Sequence, residues 1–196
     1  KPVTVEIVIP EHYNPQNSYP LLYLLHGYSS DYSQWSEISN LQKISDDYGF
    51  IIVSPDGFRS FFMNSPVDEL SQYESFFFED LTPFIHDRVS VDSSGVFISG
   101  LSMGGFGALN LLLSRPGYFA GAGSTSGAVE FNYSFWKQIS LQYLGNSMLA
   151  DDLELILGSS AEHEENWAEH SLTNRAKDFK EISVPFFIDV GTEDPL

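Results

Sequence analysis

Gly100-Leu101-Ser102-Met103-Gly104 puts one hydroxyl among glycines, within the run FISGLSMGGFGALNLLL from Phe97 to Leu113. The β-branched and apolar residues before Ser102 predict a strand, and the residues after it predict a helix. A G-x-S-x-G pattern at that junction suits a nucleophilic serine on a tight, strained turn. Gly100 and Gly104 lack the Cβ atoms that would collide with such a turn. The helix that begins near Met103 aims unpaired N–H groups and the positive end of its dipole at the hydroxyl. The Met103 N–H is therefore a candidate donor to an oxyanion, and the chemistry in view is acyl transfer. A serine hydroxyl attacks poorly near neutral pH unless a base takes its proton, so the pattern also calls for a histidine.

The elements that must hold this turn can be read in order. Val3 to Pro10 alternates and predicts a strand. Pro20 to Gly27 is a continuous apolar run, as in a strand buried on both faces. SEISNLQKISDDYG carries apolar residues at helical spacing and stops at Gly49. Phe50 to Gly57 predicts a second buried strand, and Glu69 to Val89 a long amphipathic helix interrupted by Pro83. VDSSG predicts a turn before the strand VFISG, and the helix after Ser102 is expected to end at Pro116 and Gly117. AGAGSTSG and Val184 to Gly191 predict two further buried strands. Between them, residues 129–181 read as an irregular, cap-like segment with helical pieces at Asp151 to Leu157 and Ser171 to Lys180. Alternating strands and helices imply a mostly parallel sheet with helices on both faces, within one domain spanning residues 1–196.

LLYLLHGYSSDYSQW, VSPDG, GLSMGGFGALNLLLSRPGYFAGAGSTSGA and DVGTEDPL occur in that order over nearly the whole chain. Together they resemble the α/β-hydrolase esterase family that includes feruloyl and acetylxylan esterases, tributyrin esterases, S-formylglutathione hydrolase and mycolyltransferases. The resemblance implies the α/β-hydrolase fold and a Ser, Asp, His triad in that chain order. It makes Ser102 the nucleophile and Asp194, in Gly191-Thr192-Glu193-Asp194, the triad acid. Asp189 and Glu193 fit less well, one lying inside the strand and the other offset. It also makes the N–H of Tyr28, just after the His-Gly pair, the second oxyanion donor beside that of Met103. The Tyr28 side chain is expected to be free to vary, because only its amide is used.

The family's histidine lies some tens of residues beyond the acid, whereas Asp194 is followed only by Pro195 and Leu196. Of the five histidines present, His26 belongs to the His-Gly element and is expected to hold the oxyanion loop. His12 falls in a surface turn and His86 on the long helix. His163 and His170 lie in the cap-like segment and read as surface residues. The expectation is an esterase whose last strand, histidine loop and helix are absent from this sequence. A non-catalytic relative that binds an ester or carbohydrate is the competing reading.

Composition narrows the rest. A formal net charge of −18, with only 9 Lys and Arg, argues against nucleic-acid or anionic-membrane partners. Cysteine is absent, which excludes disulfides, thiolate nucleophiles and Cys-bound zinc. HEENWAEH is not H-E-x-x-H, and the acidic stretches DDLE and EHEEN read as solvated faces, so no metal or organic cofactor is expected. GAGSTSG has the wrong spacing and context for a dinucleotide loop, and no P-loop is present. Aromatic residues in loops and in the cap, notably Tyr32, Trp35, Phe61, Phe62, Phe135 and Trp136, are candidates to line a substrate pocket. The substrate is expected to be a small-molecule or carbohydrate ester, and the S-formylglutathione branch fits least. No signal peptide is visible. A soluble setting, secreted or periplasmic, is compatible with the chain.

Overall fold

A computed structural model describes residues 2–194. Its centre is a six-stranded sheet. The strands are β1 (Val5–Val8), β2 (Tyr19–Leu25), β3 (Ile51–Pro55), β4 (Val91–Leu101), β5 (Gly121–Thr125) and β6 (Phe186–Asp189). They lie in the order β1-β3-β2-β4-β5-β6, with only β1 antiparallel to its neighbour.

Side-chain alternation sorts the strands onto two faces. Leu21, Tyr23, Leu25, Ile51, Val53, Val96 and Ile98 join the main core. Leu24 and Ile52 face the other way, with Leu41, Trp35 and Ile44 against them. That second face is covered by α1 (Gln34–Ile38) and α2 (Leu41–Tyr48). The stretch expected as one helix divides at Asn40, whose side chain caps α2 by accepting from the Lys43 N–H at 3.0 Å. The helix stops at Gly49, with φ 70°, as its sequence implies.

On the main face, the long amphipathic helix starts at Tyr73 rather than Glu69. It runs as α3 (Tyr73–Phe76), a π-helical turn (Phe77–Leu81) and α4 (Thr82–Arg88). Gln72 is tied back to Asn64 by an isolated bridge, which holds the preceding residues out of the helix. The widened turn stands just before Pro83, which has no N–H for the ladder. Next comes α5 (Met103–Ser114), buried from Met103 to Leu112, with Asn110 the one polar side chain in that stretch.

Three expectations need correction. VDSSG is part of β4, not a turn before it. It forms a bulge, where the pairing with β2 steps from Tyr19–Val91 to Leu21–Val96. Residues 129–181 are not irregular. They hold α6 (Tyr133–Leu144), α7 (Met148–Leu157) and α8 (Glu164–His170), and the piece expected at Ser171 to Lys180 is reduced to a 3₁₀ turn at Asp178–Glu181. Capping groups mark the first two helices. The Asn132 side chain accepts from the Phe135 N–H at 3.1 Å, and Gly145 and Gly158 stop α6 and α7 at φ 71° and 84°. Finally, β6, which pairs with β5 alone among the described residues, is exposed along its length rather than buried.

Candidate active site

Ser102 sits between β4 and α5 with φ 56° and ψ −115°, a backbone region that serine rarely adopts. Local packing forces this turn. A Cβ on Gly100 would fall 2.2 Å from the Gly104 carbonyl oxygen, and one on Gly104 would fall 2.2 Å from that of Leu25. The start of α5 therefore rests directly on the end of β2. This contact brings the His26–Tyr28 loop to the serine: a Cβ on Gly27 would lie 3.9 Å from the Ser102 Cβ.

The loop is held from behind. Buried His26 receives the Gly57 N–H on Nε2 at 2.8 Å, so its proton sits on Nδ1, which donates to the Gly27 carbonyl at 2.7 Å. Burial pushes the imidazole pKa below its ordinary value, consistent with this neutral form. The same carbonyl also accepts from the Ser30 N–H at 3.1 Å, and the Gly27 N–H donates to Gln34 Oε1 at 2.7 Å. Among the described residues, neither the Tyr28 N–H nor the Met103 N–H donates to a protein acceptor.

Ser102, Tyr28 and Asp194 line one cavity of about 390 Å³. Asp194 follows β6, the Gly27–Tyr28 loop follows β2 and Ser102 follows β4, so all three come from carboxyl ends of parallel strands. The far wall is Trp136, Ile139, Tyr143 and Leu144 of α6, with Leu149 of α7. Trp136 is buried there, its indole N–H donating to the Glu130 carbonyl at 2.7 Å. The other aromatic candidates do not line this cavity. Trp35 packs beside Leu24 and Ile52 on the opposite face of the sheet, and Phe135 faces a separate hollow with Ile188 and Val190. Tyr32 lies in the turn before α1, while Phe61 and Phe62 are buried in the main core.

None of the five histidines lines the cavity. His12 is exposed in a turn, and His86 is within 3.3 Å of the Tyr118 hydroxyl. His163 immediately precedes α8 without capping it through its side chain, and His170 Nδ1 lies 2.7 Å from the Asn166 carbonyl. Among the described residues, no three or more His, Asp or Glu side chains converge as metal ligands, and no helix is long and apolar enough to cross a membrane.

The Esterase family model, described as "Putative esterase", matches residues 1–196. The chain belongs to this family. It is 30% identical over 152 residues to an esterase of Mycobacterium tuberculosis, covering 74% of this chain and 33% of that protein. It thus spans about a third of the length of that relative. Its fold is that of MPT51 from Mycobacterium tuberculosis, with a TM-score of 0.75 at 20% identity over 98% of this chain and 71% of the other. FphF, a fluorophosphonate-binding serine hydrolase of Staphylococcus aureus, aligns with a TM-score of 0.63 at 18% identity over 95% and 83% of the two chains. These likenesses give the chain the α/β-hydrolase fold.

Some site groups have no sequence signal of their own. Gln34 is an ordinary helix residue until the fold turns it onto the Gly27 N–H. The Tyr28 side chain is not free: its hydroxyl donates to Asp152 on α7, 124 residues away in sequence. The α6 wall could have been located from Asn132 and Gly145, which bracket it as caps.

Proposed function

We propose that this esterase-family protein hydrolyses carboxylic esters through an acyl-enzyme on Ser102. One observation carries the reading: a strained Ser102 opens into a cavity beside two N–H groups, of Tyr28 and Met103, that have no protein acceptor among the described residues. In this scheme the Ser102 Oγ attacks the ester carbonyl carbon as an imidazole takes its proton. The carbonyl oxygen becomes an oxyanion received by the two N–H groups. The carbon–oxygen bond to the alcohol then breaks, the imidazolium returns the proton to the departing oxygen, and water repeats the sequence to release the acid. In this scheme Asp194, which lines the same cavity, orients that imidazole.

The apolar wall of Trp136, Ile139 and Leu149 suits a small acyl or phenolic group. The charge of −18 suits a neutral ester, including one on a sugar, and repels polyanions. The similarity to FphF, a fluorophosphonate-binding serine hydrolase, agrees with a reactive serine.

A second reading, ester or carbohydrate binding without turnover, draws on the absence of any of the five histidines from the cavity. Hydrolysis of p-nitrophenyl acetate by the full-length protein separates the two. Turnover that falls by about 10³-fold or more in Ser102→Ala supports the esterase. Binding without turnover supports the second reading.

A further inference from the structure

No motif assigns the Tyr28 side chain a role, yet the fold secures it at both ends. At the backbone end, the Gly27–Tyr28 peptide is pinned through its carbonyl by His26 Nδ1 at 2.7 Å and the Ser30 N–H at 3.1 Å. At the far end, the phenol hydroxyl donates to Asp152 Oδ2. The same oxygen accepts from Arg59 Nη1 at 3.1 Å, and the Arg59 guanidinium lies 5.5 Å from the Tyr28 ring centroid. The ring between these anchors is buried against Phe61, with centroids 6.0 Å apart.

Arg59 itself is presented by a strained loop. Phe58, Phe61 and Phe62 all have positive φ, between 51° and 54°, and Phe61 and Phe62 are buried. His26 closes the circuit by accepting the N–H of Gly57 at the start of that loop. Two fixed ends leave the Tyr28 φ torsion little freedom, and that torsion links the ring to the direction of the N–H.

We propose that Asp152, seconded by Arg59, is a positioning residue that acts through the Tyr28 phenol to aim the Tyr28 N–H at the oxyanion. This rests on the proposed role of that N–H in ester hydrolysis. It also links the oxyanion loop to the α6–α7 wall, because Asp152 belongs to α7. Removing the hydroxyl keeps the N–H but frees one of the two ends that fix its direction. The loss should therefore fall on kcat, since the donor matters most once charge has developed.

The test uses the full-length protein with p-nitrophenyl acetate, comparing Tyr28→Phe, Asp152→Ala, Asp152→Asn, Arg59→Ala and the double variant Tyr28→Phe/Asp152→Ala. Tyr28→Phe and Asp152→Ala should each lower kcat by about 5–50-fold, with KM within about twofold. The double variant should be no worse than the poorer single one, because both break one link. Asp152→Asn should recover most of the rate, since its amide oxygen can accept the same hydroxyl. Arg59→Ala should cost less than Asp152→Ala. Wild-type kcat in Tyr28→Phe, losses that multiply in the double variant, or a loss confined to KM would each overturn the inference. Should the unaltered protein neither turn over ester nor form a fluorophosphonate adduct on Ser102, the esterase reading fails and this inference with it. Turnover that is indifferent to Tyr28→Phe refutes this inference alone.

Discussion

His26 Nδ1 donates to the Gly27 carbonyl at 2.7 Å, and that carbonyl belongs to the same peptide unit as the Tyr28 N–H. In a trans peptide the two groups point in opposite directions, so a histidine that draws the carbonyl inward turns the N–H outward. His26 thus sets the direction of a donor without touching a substrate. Because Nε2 simultaneously holds the Gly57 N–H at 2.8 Å, one buried ring fixes two loops.

His26→Ala removes both bonds and leaves a void. A stability loss of about 2–4 kcal/mol is expected in denaturant titration. The imidazole is held neutral by burial, with its pKa below the ordinary value. The unfolded chain takes up its proton as pH falls through about 6.5. This contribution to stability is therefore full above that value and is lost as pH falls toward the lower folded value. Between pH 7 and pH 5, Tm should fall further in the unaltered protein than in His26→Ala. An equal fall in both would contradict the neutral clamp.

Two glycines should respond in opposite ways. Gly100→Ala drives a Cβ to 2.2 Å from the Gly104 carbonyl oxygen, a backbone atom that cannot step aside. A destabilisation of about 3 kcal/mol or more is expected. At Gly27 the nearest atoms to a new Cβ are 3.7 Å away, and the Ser102 Cβ follows at 3.9 Å. Gly27→Ala should therefore keep its Tm, and any cost should fall on ester turnover, because the methyl group stands at ordinary contact distance beside the serine. Thermal melts and rate measurements on both variants check the contrast.

Ser102 bears the strain of its position. Ser102→Gly relieves the left-handed backbone, while Ser102→Ala keeps it. The glycine variant should melt about 2–4 °C above the alanine variant, corresponding to about 1 kcal/mol. Both should be inactive. Equal melting temperatures would mean that φ 56° costs the serine nothing.

Asp194 shares the cavity with Ser102. Asp194→Asn should lower kcat by about 10²–10⁴-fold, with little change in KM, because an amide leaves the imidazole in the wrong tautomer. The same substitution at Asp189, which lies within β6, should cost far less.

Much of this arrangement is legible in the amino-acid sequence. Gly100, Ser102 and Gly104 announce the turn, because only glycine tolerates a carbonyl at such short range. Leu21 to Leu25 and Ile51 to Val53 read as buried strands because continuous apolar runs require cover on both faces. The α6–α7 wall is harder to see. Its helices are short and partly exposed, so apolar spacing is weak, and the informative signals are the caps at Asn132, Gly145 and Gly158. The exposure of β6 depends on what stands beside it, which its own residues do not encode. The Tyr28–Asp152 link joins residues 124 apart in sequence and forms only once α7 is folded over the loop. Trp35 misleads for a related reason: an aromatic residue close in sequence to the Gly27–Tyr28 loop can still face the opposite side of the sheet.

The most direct test of a nucleophilic Ser102 is covalent. The full-length protein is treated with a fluorophosphonate, digested, and the adduct located by mass spectrometry. A single adduct on the peptide carrying Gly100-Leu101-Ser102-Met103-Gly104, lost in Ser102→Ala together with ester turnover, is the expected result. Ester turnover that survives Ser102→Ala, or an adduct on a different residue, would contradict it.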